Sequence, residues 1–130
     1  MNVAVRYYSR SGNTKTIADT IATTSGVDAV SVDKAGAAIT EDTDILFIGG
    51  ALYAYGLDKN MKNYLASIDG SKVKKAVVFS TSSISKHSVD LLKKGLAAKG
   101  IPVEDDFFYV KGKDAAASVS SATAFAKKYL

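Results

Sequence analysis

The sequence predicts an α/β domain built on a doubly wound parallel sheet with helices on both faces. Three observations carry that expectation. Strand-like and helix-like segments alternate along the whole chain. The runs at residues 3–8, 44–50 and 76–80 are apolar at nearly every position, as in strands buried on both faces. Each of those runs ends in a loop of small or hydroxyl residues, at the edge where such sheets bind ligands.

The first run, residues 3–8, ends in Tyr7 and Tyr8, one expected in the core and the other as a wall of a site. The helix that follows carries Ile17, Ala18, Ile21 and Ala22 at i, i+4 spacing. Residues 27–32 alternate in character, which suits an edge strand with one face covered. A loop rich in Ala, Gly and acidic residues leads to the third strand, residues 44–50. Asp58 is placed to cap the next helix, whose apolar stripe is Met61, Tyr64, Leu65 and Ile68. The fourth strand opens into Thr81, Ser82, Ser83 and Ile84. Ser85 is then the expected cap of a helix with Val89, Leu92 and Leu96 inward, stopped by Gly100 and Pro102. A fifth strand covers residues 103–110, and a last helix is expected to bury Val119, Ala122, Phe125 and Tyr129. Right-handed crossovers restrict this order of elements to few topologies.

Composition narrows the chemistry. A chain of 130 residues suits one domain with a single core, and 47% hydrophobic with 23% charged residues is globular. The absence of cysteine excludes disulfides, thiolate nucleophiles, iron–sulfur ligation and Cys-based zinc sites, and one histidine excludes a multi-histidine metal centre within one chain. No charged segment followed by a long apolar one opens the chain, and no apolar run has the length of a membrane span. A cytoplasmic protein that binds no membrane is the expectation. The net charge of +4 favours anionic partners, such as nucleic acid, acidic protein surfaces or phosphorylated ligands. Lys72, Lys74 and Lys75, like Lys93 and Lys94, lack interleaved aromatics, so they read as solvated faces rather than a nucleic-acid surface. His87 reads as a surface residue at a helix start, and Asp105-Asp106 as an ordinary strand entry.

The most informative segment is Ser9-Arg10-Ser11-Gly12-Asn13-Thr14, between a strand and a helix. The first N–H groups of a helix lack internal partners and its macrodipole is positive there, so a phosphate meets ready donors. Ser and Thr hydroxyls add more, and Gly12 lets the backbone approach closely or take positive φ. The same residues also make an ordinary helix cap. Two further loops, residues 49–56 and 80–84, lie at the same edge and favour the cradle. Arg10 is expected to point to water, and Lys15 opposes the helix dipole.

On these residues the chain resembles the flavodoxin family, over essentially its whole length. Ser9 to Thr14 resembles the family's phosphate loop, and the resemblance implies a five-stranded sheet of order 2-1-3-4-5 that binds FMN. It assigns Ser9, Arg10, Ser11, Gly12, Asn13 and Thr14 to the phosphate. The segment Ala51, Leu52, Tyr53, Ala54, Tyr55 and Gly56 resembles the second flavin loop, in which Tyr53 or Tyr55 stacks on the isoalloxazine and Ala54 or Gly56 carries a peptide that turns toward N5. Thr81, Ser82, Ser83 and Ile84 stand in the third loop, without the Tyr or Trp that commonly covers the outer flavin face; Ile84 or His87 covers it, or nothing does. The chain is also basic where flavodoxins are usually acidic. The implied function is a monomeric, low-potential one-electron carrier between a reductase and acceptor proteins. The alternative is a small FMN-dependent oxidoreductase acting directly on a quinone or similar substrate. Three other readings fail. A receiver domain needs an acidic cluster where Tyr7 and Tyr8 stand, a low-molecular-weight phosphatase needs a cysteine, and a P-loop nucleotidase needs Gly-x-x-x-x-Gly-Lys.

Overall fold

The computed structural model describes residues 1–54, 56–82 and 85–130. Five parallel strands form one sheet: β1 (Val3–Tyr7), β2 (Ala29–Ser31), β3 (Ile45–Gly50), β6 (Ala76–Thr81) and β7 (Val103–Val110), in the order β2-β1-β3-β6-β7. Counting only these five, the order is the expected 2-1-3-4-5. Two short strands, β4 (Leu52–Tyr53) and β5 (Gly56–Leu57), form a separate antiparallel hairpin. The helices are α1 (Asn13–Ser25), α2 (Lys59–Ser67), α3 (His87–Ala97) and α4 (Val119–Lys127).

Successive strand residues point to opposite faces, and here both faces are covered. Ala4, Leu46, Ile48, Ala76 and Val78 cluster with Met61 and Leu65 of α2 and with Leu92 and Leu96 of α3. Val5, Tyr7, Phe47, Val77 and Phe79 cluster with Ile17 and Ile21 of α1 and Phe125 of α4. That double coverage is why β3 and β6 are apolar without alternation, every residue of both being buried. Arg6 interrupts the apolar character of β1, and its Nε donates to the Ala37 carbonyl at 2.7 Å. The Tyr64 hydroxyl donates to the same oxygen at 2.6 Å. Among the described residues no helix is long and apolar enough to cross a membrane.

Four expectations need correction. The second strand is shorter than residues 27–32, because the Val27 N–H closes α1 on the Ala22 carbonyl at 3.0 Å instead of joining the sheet. Val119 is not buried: it is 41% exposed at the first turn of α4. The residue before α3 is Lys86, although Ser85 Oγ still accepts from the His87 N–H at 3.2 Å. Asp105 and Asp106 lie in an irregular stretch of β7, where Ala76 pairs Val103 but Val78 pairs Phe107, so two steps on β6 face four on β7. Asp106 there pairs with Lys128 at 3.2 Å. The expected stop of α3 holds: Gly100 has φ +74°, and the Ile101 N–H returns to the Leu96 carbonyl at 3.3 Å.

Candidate functional site

Strands β1, β3 and β6 are adjacent and parallel, so the segments after them share one edge of the sheet. After β1, the Tyr8 N–H still bonds the Gly49 carbonyl at 3.2 Å, and then the chain leaves the sheet. Ser9 Oγ accepts from the Gly12 N–H at 2.9 Å, and Gly12, at φ +96°, turns the backbone into α1. Glycine takes that left-handed conformation without the Cβ penalty. The first helical N–H to find an acceptor is that of Thr16, on the Gly12 carbonyl at 3.0 Å. The N–H groups of Asn13, Thr14 and Lys15 therefore have no acceptor within the helix. The first turn holds no acidic residue, and the Lys15 ammonium is drawn to Asp19 at 2.7 Å. Three orphan N–H groups, the Ser9 and Ser11 hydroxyls and a positive helix end form a donor set that fits a phosphate dianion.

Thr14 and Thr81 meet as a buried pair, 1% and 2% exposed, with their hydroxyl oxygens 2.7 Å apart. This joins the loop at residues 9–14 to the end of β6. Residue 14 thus offers an incoming anion its N–H, while its hydroxyl belongs to Thr81. A second buried hydroxyl pair lies beside it. Ser80 Oγ donates to the Gly50 carbonyl at 2.6 Å and lies 2.6 Å from Ser88 Oγ, tying β3, β6 and α3. Neither pair was anticipated, because a buried serine or threonine in a strand carries no local sequence signal. A fourth segment also reaches the cradle. A Cβ placed on Gly112, just after β7, would lie 2.7 Å from Asn13 Nδ2, so the Asn13 carboxamide rests against that backbone.

The second loop folds back as the β4–β5 hairpin, in which Leu52 pairs Leu57 and Tyr53 pairs Gly56. Its turn includes Ala54 at φ +53°, the left-handed residue among the non-glycines described. Such a conformation costs a residue with a Cβ on the order of 1–2 kcal/mol. Gly56 carries no positive φ, so among the described residues of this loop the strained position is Ala54. Ala51 follows β3 directly and is half-buried.

Arg10 is 56% exposed, in keeping with a side chain at the water-facing surface, but it is not free there. Its N–H donates to the Tyr53 hydroxyl at 3.1 Å, and its guanidinium lies over the Tyr53 ring at 3.9 Å from the centroid. Its Nε and Nη2 both donate to Asp58 Oδ2, at 3.0 and 2.6 Å. Asp58 also caps α2 as expected, its Oδ1 accepting from the Asn60 N–H at 2.7 Å. Burial pushes the Asp58 carboxyl up, but the Asn60 N–H and the Arg10 guanidinium outweigh it and hold the group below the usual range. Burial raises the Tyr53 phenol, against the lowering pull of the Arg10 N–H and charge. The hydrogen bond to Asp58 raises Arg10 further above its ordinary value.

In the third loop, Ser82 is buried; its carbonyl accepts from the Tyr109 hydroxyl at 2.7 Å and its N–H donates to Val110 at 3.4 Å. Tyr55, Ser83 and Ile84, also expected at the site, lie outside the described residues. Among the described residues no group of His, Asp and Glu is arranged to hold a metal ion.

Comparison with known proteins agrees with this architecture. A flavodoxin from the domain Archaea superposes with a TM-score of 0.69 at 22% identity, over 98% of both chains. Oxidised flavodoxin 2 from Bacillus cereus gives 0.71 at 20% identity, over 98% of this chain and 99% of that one. Rubredoxin:oxygen oxidoreductase from Desulfovibrio gigas gives 0.68 at 15% identity, over 98% of this chain but 36% of that one. At these identities the likeness is one of fold. No curated protein sequence matches the chain. The family model for the flavodoxin domain matches residues 4–119, nearly the whole sequence, and the chain belongs to the flavodoxin domain family.

Proposed function

We propose that this protein binds FMN and carries single electrons at low potential between a reductase and acceptor proteins. The observation that carries the reading is the start of α1. There a left-handed Gly12, a Ser9 hydroxyl folded onto its N–H and three N–H groups without a helical acceptor follow β1 at the edge it shares with β3. In the 2-1-3-4-5 order, of which flavodoxin is itself the type case, that edge is where the winding reverses and the ligand crevice opens.

FMN, when bound, supplies one- and two-electron redox chemistry. Ser9, Ser11, Asn13 and the N–H groups of residues 13–15 would hold its phosphate. These donors are neutral, so the dianion keeps its charge and disfavours further negative charge nearby. That effect favours a low potential. Ala54, already in a left-handed conformation, is the residue whose peptide is best placed to reorient beside the ring.

Calorimetric titration of the flavin-free protein with FMN tests the reading. One-to-one uptake with quenching of flavin fluorescence is expected, and no uptake overturns it. The absence of Tyr and Trp from residues 81–84 favours a second reading, direct reduction of a quinone-like substrate at an uncovered ring. Rapid, saturable quinone turnover without a protein donor would replace the carrier by that reductase.

A further inference from the structure

We propose that Arg10, Tyr53 and Asp58 form a buckle that holds the second loop against the phosphate loop, making Arg10 a positioning residue whose charge serves Asp58 rather than a bound phosphate. The affinity part of this proposal rests on the FMN reading above; the buckle itself does not.

Arg10 grips both ends of the hairpin. Tyr53 closes β4 and Asp58 follows β5 directly. Arg10 meets the first by an N–H bond at 3.1 Å and a stack at 3.9 Å, and the second by two N–H bonds to one oxygen at 3.0 and 2.6 Å. A hairpin of two-residue strands is not stable by itself, and this one carries a left-handed Ala54. Its geometry has to be imposed from outside: the buried Leu57 anchors β5 in the core, and Arg10 ties the hairpin to the loop before α1.

Asp58 has no oxygen to spare: Oδ2 takes the guanidinium, and Oδ1 takes the Asn60 N–H and carboxamide at 2.7 and 3.0 Å. The carboxylate is 6% exposed and Arg10 is its only counter-charge among the described residues. A buried carboxylate without its partner is strongly destabilising. Two consequences for the phosphate loop follow. The N–H of residue 10 is spent on Tyr53, and two of the five guanidinium N–H groups are spent on Asp58, so an anion would meet a cation whose charge is already paired. The face of Tyr53 under the guanidinium is likewise taken, which makes Tyr53 a strut between the loops.

Arg10→Ala, Arg10→Lys and Asp58→Asn separate the buckle from a phosphate-binding arginine, and asparagine keeps the α2 cap. Affinities for FMN and for riboflavin, which lacks the phosphate, are read by flavin fluorescence. The buckle predicts that Arg10→Ala and Asp58→Asn each weaken both flavins by a similar factor, about tenfold, within the usual range of coupling between neighbouring groups. Arg10→Lys is then no better than alanine, since an ammonium neither stacks as a plane nor forks onto the carboxylate. A phosphate ligand predicts the opposite pattern: FMN alone is weakened by Arg10→Ala, lysine rescues it, and Asp58→Asn tightens FMN by releasing the arginine. That pattern overturns the proposal. Thermal melts of the flavin-free variants give a second arm. The double variant is expected to lose no more than Arg10→Ala alone, and strictly additive losses refute the buckle even if the wild-type protein takes up no flavin.

Discussion

Replacing Thr14 by valine probes which partner its hydroxyl serves. The side chain is 1% exposed and its oxygen lies 2.7 Å from that of Thr81, itself 2% exposed. Valine keeps the branched shape and removes the hydroxyl, so the buried Thr81 hydroxyl is left without that partner. That desolvation penalty is about 1–3 kcal/mol. With a urea dependence of about 2 kcal/mol per molar, the midpoint falls by about 0.5–1.5 M. Thr81→Val is expected to cost the same. The double variant removes both hydroxyls, so it should lose no more than either single variant and leave a coupling of at least about 1–3 kcal/mol in the cycle. Because the N–H of residue 14 is untouched, FMN affinity should stay within about threefold in Thr14→Val, well under the effect of losing a charge-assisted bond. Urea melts of the three variants and flavin titrations of each measure both parts. A Thr14→Val protein of unchanged stability that binds FMN tenfold more weakly would place the hydroxyl on the phosphate, as the family resemblance alone implies, and refute the reasoning.

Two other outcomes are expected. Gly49→Ala should be severely destabilising while Gly50→Ala is mild, since a Cβ on Gly49 would lie 2.6 Å from the Phe79 carbonyl oxygen and one on Gly50 meets nothing closer than Met61 at 3.7 Å; paired melts decide. Stability should fall in acid partly through Asp58, whose folded carboxyl titrates below its unfolded value. Its contribution is complete above the usual carboxylate value near 3.8 and disappears as pH drops through the lower, folded one. Melts of Asp58→Asn should therefore show a shallower loss below about pH 4, and a slope equal to wild type would remove Asp58 from the account.

Much of this molecule is written in stretches of ten residues or fewer. The unbroken apolar runs of β3 and β6, the i, i+4 stripe of α1, the Asp58 cap and the Gly100 stop each depend on neighbours a few positions away, and periodicity exposes them. So does the loop at residues 9–14, whose hydroxyls and glycine lie in consecutive residues between a strand and a helix. The errors share a cause as well. Val27 reads as strand until the helix end claims its N–H, and Val119 reads as core until the start of α4 leaves it in solvent.

Which polar groups meet is settled by long-range packing. Arg10 and Asp58 are 48 residues apart, and Thr14 and Thr81 are 67 apart. No local pattern distinguishes an arginine aimed at a buried carboxylate from one aimed at water or at phosphate. The choice is made by the parallel crossovers, which bring the ends of β1, β3 and β6 to one edge, and by the cost of burying a charge or hydroxyl alone. Local pattern was enough to place the sheet and the loop that opens α1; the packing of distant loops fixed which polar groups of that loop are already partnered.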